Sequence, residues 1–101
     1  MTQNIDRERR SFAVLENGGA LQTAVMRLQP GDESGPFGNE HAQSEQVLFV
    51  YEGEVEAEIG EKRFTMKPGD STIVPRNVPH RFLNRSGAVA VTFNVYAPPA
   101  Y

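Results

Sequence analysis

Two histidines are all the imidazole this chain contains, and each stands among residues that could help it hold a ligand. His41 lies in the stretch NEHAQSEQ, with the amides Asn39 and Gln46 on either side of it. His80 opens HRFLN, directly after Asn77-Val78-Pro79. Neutral imidazole binds Zn, Cu, Fe, Ni and Mn well, and a glutamine amide oxygen is a weaker, acceptable donor. There is no cysteine, so disulfides and thiolate ligands are excluded, and a metal must be held by nitrogen and oxygen. The same side chains also suit a metal-free polar pocket in which Asn39 and Gln46 hydrogen-bond a small molecule. Spacing alone leaves both readings open.

Segments this far apart can share a ligand only if strands bring them together. On a strand, residues two apart point the same way, so Asn39 and His41 are expected on one face. Gln46, Leu48 and Val50 share a face on the strand that follows, and His80 shares one with Phe82 and Asn84. The rest of the chain also reads as strands. FAVLE and ALQTAVMRLQ flank the hairpin signal Asn17-Gly18-Gly19, and Pro30-Gly31 closes the second of them. GDESGPFGNE is a loop, long enough in so small a domain to suggest a functional role.

In EGEVEAEIGEKRF, Val55, Ala57 and Ile59 alternate with Glu54, Glu56 and Glu58, which predicts one buried face and one acidic, wet face. STIVP, HRFLN and VAVTFNVY follow between further turns. No segment has a helical period, so the pattern is that of an all-β sandwich or barrel of antiparallel strands. Phe82, Leu48, Val50 and Phe93 are expected in its core. On the last strand Thr92, Asn94 and Tyr96 form a polar stripe that either lines a pocket or faces water. Arg27 and Arg81 read as surface residues, with binding of a substrate carboxylate as the alternative. APPAY is expected to run extended across the barrel or a neighbour.

At 101 residues the chain holds one core. Residues 1–10, with three Arg, form an N-terminal arm expected to be mobile or to pair only in an oligomer, and residues 11–101 form the domain. A net charge of -3 argues against nucleic acid as a partner. No apolar run is long enough for a membrane span and the first residues do not read as a signal peptide, which predicts a cytoplasmic protein.

These residues carry a resemblance. GDSTIVPRNVPHRFLN resembles the second motif of the cupin family: Gly69, Pro75, His80 and Asn84 match, and Asn77 replaces the motif's second Gly. Asn tolerates the same left-handed backbone. His41, Gln46 and Gly53 match the first motif, while Asn39 stands in the place of its first histidine. The resemblance spans about Leu21 to Tyr96. It implies an antiparallel jelly-roll β-barrel that forms a homodimer around a central pocket. It also implies one divalent transition metal (Zn, Mn, Ni or Fe) held by His41, Gln46 and His80, with Asn39 as a weak fourth ligand. Phe82, Thr92, Asn94 and Tyr96 are the expected substrate-binding residues.

The implied activity is isomerase, hydrolase or dioxygenase-type chemistry on a small polar molecule. With both histidines on the metal, Glu40, Glu45 or Tyr96 would have to serve as base. The alternative is a non-catalytic binding or sensing cupin whose metal site is degenerate or empty.

Overall fold

The structure, a computed structural model, describes residues 2–39 and 41–101. Glu40, one of the three candidate bases, therefore lies outside the described residues. The described chain forms β1 (Phe12–Asn17), β2 (Gln22–Leu28), β3 (Glu45–Glu52), β4 (Val55–Ile59), β5 (Lys62–Met66), β6 (Ser71–Val74), β7 (His80–Leu83) and β8 (Ala90–Ala97). They build two antiparallel sheets, ordered β1-β2-β8-β3-β6 and β5-β4-β7. This is the all-β antiparallel architecture expected from the alternation and the turns, in the jelly-roll form that the resemblance implies.

Pairing register decides which side chains meet inside. In the larger sheet Gln22 pairs with Tyr96, Tyr96 with Gln46 and Gln46 with Val74, giving one inward row. The next inward row is Ala24, Asn94, Leu48 and Thr72, and then Met26, Thr92 and Val50. From the smaller sheet Val55, Ala57, Ile59, Met66 and Phe82 face them, and these side chains form one buried cluster with Leu48 and Val50. Each large apolar side chain so buried contributes about 1.5–3 kcal/mol. The apolar side of the layered sandwich thus lies toward β4 and β5, and the polar row of Gln22, Tyr96 and Gln46 lies at one end of it.

Four local features differ from the sequence reading. Glu58 does not face water: it is buried, because Arg81 lies opposite it on β7 and donates Nε and Nη2 to its Oε1 at 3.0 and 2.8 Å. Phe93 lies on the outer face, paired with Phe49 and Val25, and is only half-buried. Residues 41–43 are a turn, not strand, closed by the Ser44 amide donating to the His41 carbonyl, so Asn39 and His41 share no strand face. The arm makes a 3₁₀ turn, Ile5–Arg7, that docks on the outer face of its own barrel.

Ile5 packs on Ala13, Val25 and Val91, and Arg27 donates to the carbonyls of Glu8 and Ile5 at 2.6 and 2.8 Å. The Tyr51 hydroxyl donates to Asp6, and that hydrogen bond, with the Asp6 charge, raises the phenol above its usual range. Beside it, the Arg10 guanidinium holds the Glu8 carboxyl down to about 2.

Candidate functional site

Two backbone devices set the histidines face to face. The turn before β7 bends through Asn77 at φ 62°, the left-handed conformation expected of its place in the motif. The amide of Gly38 then donates to the carbonyl of His80 and the amide of His80 to the carbonyl of Gly38, at 3.3 and 2.9 Å. That two-way bridge ties the loop before His41 to the start of β7. As a result the Nε2 atoms of His41 and His80 lie 3.2 Å apart.

The protonation of His80 follows from its other nitrogen. Nδ1 is 3.0 Å from the Val78 carbonyl oxygen, which can only accept, so Nδ1 carries the proton. In the neutral ring the Nε2 lone pair is then the one directed toward His41. A backbone carbonyl fixing the far nitrogen in this way is the usual arrangement behind a metal-ligating imidazole. Two nitrogens 3.2 Å apart are also spaced as ligands of one ion are: bonds of about 2.1 Å would subtend about 100°.

Gln46 supplies the third donor. It stands near the start of β3 on the inward row beside Tyr96, only 3% exposed, and its Oε1 is buried with no hydrogen-bond partner. A buried oxygen left without a partner is rare enough to demand an explanation, and a cation or ligand donor in front of it is one. His41, Gln46 and His80 line the same cavity, of about 50 Å³, with Phe82, Met26 and Tyr96 among its other walls. Two imidazole nitrogens and an orphaned amide oxygen facing one cavity fit a divalent transition metal. Among the described residues no three His, Cys, Asp or Glu side chains converge, so the donor set has to include this amide.

The remaining candidates divide sharply. Phe82 and Tyr96 line the cavity. Asn39 is exposed and donates its amide to Asn77 Oδ1 at 2.8 Å, outside the cavity lining. Thr92 and Asn94 face inward but lie behind the cavity, where Thr92 Oγ1 donates to Asn94 Oδ1 at 3.3 Å. Glu45 is exposed on the outward side of β3, so it cannot act as a base in the cavity. Arg27 and Arg81 are engaged with the arm and with Glu58.

Asn84, the motif's last residue, is a structural pin. Its Nδ2 donates to the carbonyls of Leu28 and Ala88, and its Oδ1 accepts from the amide and hydroxyl of Ser86. Phe12, Met26 and Tyr101 also line the cavity. Periodicity could not single them out, because Phe12 and Met26 look like any core residue and Tyr101 lies beyond the last strand.

A two-sheet antiparallel jelly roll with paired imidazoles and an amide oxygen at one end of its interior defines a cupin-type barrel. The family model described as Cupin domain matches residues 24–96, and the chain belongs to that family. Its fold is similar to that of a Bacillus halodurans protein, with a TM-score of 0.87 at 23% identity over 96% of this chain and 76% of that one. It is also similar to a Thermus thermophilus protein, with a TM-score of 0.83 at 25% identity over 95% of each chain. A third similar structure is a sugar phosphate isomerase of the cupin superfamily from Silicibacter pomeroyi. There the TM-score is 0.73 and the identity 24%, over 88% of this chain and 60% of that one. No curated protein gives a significant match.

Proposed function

We propose that the protein is a small metal-binding cupin that holds one divalent transition metal ion and acts on a small polar molecule. His41 Nε2, His80 Nε2 and Gln46 Oε1 would hold the ion, which would supply Lewis acidity. The observation that carries the reading is the convergence of the two Nε2 atoms and the orphaned Gln46 oxygen on one cavity. The chain's own residues have separate tasks. The Val78 carbonyl keeps the His80 proton on Nδ1, Phe82 and Met26 exclude water from the inner wall, and Tyr96 is the described candidate base that lines the cavity.

Isomerisation of a sugar-derived molecule is the favoured chemistry, supported by the sugar phosphate isomerase among the similar folds. Dioxygenase-type chemistry has no residue speaking for it. The second reading, a non-catalytic binding or sensing module without metal, is favoured by one observation: Asn39 is turned to Asn77, which removes a fourth donor and leaves three, all of them neutral.

Elemental analysis of protein purified without chelator separates the two. The expected result is close to one equivalent of Zn, Mn, Ni or Fe, lost in His80→Ala, with a stabilisation of about 2.7 kcal/mol at a hundredfold excess over Kd. Less than about a tenth of an equivalent, with no thermal shift on adding any of the four ions, refutes the metal reading.

The reading extends to assembly as a homodimer. Ile73, Val47 and Val95 form an outward row across β6, β3 and β8, in which Ile73 is 59% exposed and Val47 37%. Apolar side chains in such a run suit a face buried against a second copy.

A further inference from the structure

Beyond β8 the chain does not leave the barrel. Residues 98–101 turn back over the cavity mouth and are tied there by two side chains. Ser44 Oγ donates to the Pro98 carbonyl at 2.6 Å. Gln22 takes both amides of the last two residues on its Oε1, Ala100 at 3.1 Å and Tyr101 at 3.0 Å, and donates its Nε2 to the Tyr101 carbonyl at 2.7 Å. Gln22 is wholly buried, and its Nε2 also donates to Asn17 Oδ1. A glutamine on the inward row of a barrel is thus devoted to holding this segment.

The segment carries a stopper. The Tyr101 ring packs 4.7 Å from Phe12 and 5.2 Å from Tyr96, centroid to centroid, and 6.1 Å from His41. Tyr101 is nevertheless 57% exposed, and the segment belongs to neither sheet. Its anchorage is therefore made of side-chain bonds and ring contacts, with no strand pairing, the kind of local structure that opens without disturbing the sheets.

The volumes show what the stopper does. With Tyr101 in place the cavity holding His41 and His80 is about 50 Å³, room for one or two water molecules. On the other side of Tyr101 lies a second cavity of about 380 Å³, reaching Arg27, Asp32 and Glu33. Phe12, Met26, Ser34 and Tyr101 line both, so they form the partition between them. Joined, the two reach the few hundred Å³ that small-molecule sites occupy.

We propose that residues 98–101 are a displaceable wall and that Tyr101 determines the size of molecule that reaches the two histidines. Closed, the site admits water or a small inorganic ion. Opened, it admits a small organic molecule laid across Phe12 and Met26 with one end at His41 and His80. This concerns access to the cavity and does not depend on what the histidines hold.

The test uses the full chain after chelator treatment, with diethyl pyrocarbonate as probe. The chain's only histidines are His41 and His80, so the ultraviolet signal of carbethoxylation reports on them alone. Tyr101→Gly is expected to react roughly tenfold faster than the unaltered chain, as follows if the wall is open about a tenth of the time. Tyr101→Phe, which keeps the ring, is expected to react at the unaltered rate. In the unaltered chain the amides of Ala100 and Tyr101 are expected to exchange with deuterium faster than the interior amides of β8.

Equal rates in Tyr101→Gly and the unaltered chain overturn the proposal, and so does a Tyr101→Phe that reacts as fast as Tyr101→Gly. Exchange at Ala100 and Tyr101 as slow as in β8 overturns it without any variant. Metal content is not read in any of these measurements, so failure of the metal assignment would not be confused with failure of this one.

Discussion

Replacing Gln46 by methionine should make the metal-free protein more stable and the metal-treated protein less so. Gln46 is almost fully buried, and its Oε1 has no partner. An unsatisfied buried acceptor costs about 1–3 kcal/mol. Methionine has nearly the same length and shape without the oxygen, and volume-conserving swaps of this kind cost less than about 1.5 kcal/mol. The expected net gain in chelator is about 1 kcal/mol, or about 4–8 °C in Tm for a domain of this size.

With metal at a hundredfold excess over Kd the unaltered chain is expected to gain about 2.7 kcal/mol, and the variant, short of one of the three proposed donors, little of it. Thermal melting of both proteins with chelator and with each of Zn, Mn, Ni and Fe therefore yields an inversion of rank. If Gln46→Met melts lower than the unaltered chain in chelator, the oxygen is not an uncompensated acceptor. If the ion raises both proteins equally, Gln46 is not a ligand. Either result refutes the reasoning.

Three further outcomes are expected. Gly53 has φ +76°, and a Cβ there would lie 2.3 Å from the Val89 carbonyl oxygen and 2.8 Å from Ala90 Cα. Gly53→Ala should lose about 2–5 kcal/mol in urea titration, from left-handed strain together with overpacking, and a loss below about 1 kcal/mol would contradict this. The Tyr51 phenol is held above its ordinary 10.0 by Asp6, so the folded state keeps that proton more tightly than the unfolded one. Its hold on the arm is complete below that ordinary value and is lost as pH rises through the raised one. Trypsin should therefore cut at Arg7 and Arg9 more slowly in the unaltered chain than in Tyr51→Phe below pH 10, and the two rates, compared at each pH, should converge above it. Val47→Lys together with Ile73→Lys should convert the proposed dimer to monomer in size-exclusion chromatography without lowering Tm, since both side chains are exposed in the single chain.

Most of the fold was legible because strands announce themselves locally. The alternation of Val55, Ala57 and Ile59 with glutamates and the Asn17-Gly18-Gly19 turn each depend on near neighbours, and the structure has a strand and a hairpin connection at those places. His41, Gln46 and His80 were legible for another reason: their spacing matches a motif, and β3, β7 and the loop bridged to His80 through Gly38 bring all three to one cavity. Asn77 replaces a glycine of the motif, a place that calls for a left-handed residue, and it is one.

What pattern could not supply is which partner a polar side chain finds at a distance. Glu58 has the same kind of neighbours in sequence as Glu56, yet it is buried because β7 sets Arg81 opposite it. Asn39 was placed beside His41 by assuming a strand, and the chain turns there, so its amide meets Asn77 instead. Tyr101 closes the cavity because Gln22, seventy-nine positions earlier, holds its backbone. The sequence by itself determined the sheet-forming pattern, the turns and the two histidines with their glutamine. The tertiary structure alone decided which polar groups are satisfied, which oxygen is orphaned and what stands at the cavity mouth, because those depend on contacts between segments far apart in the chain.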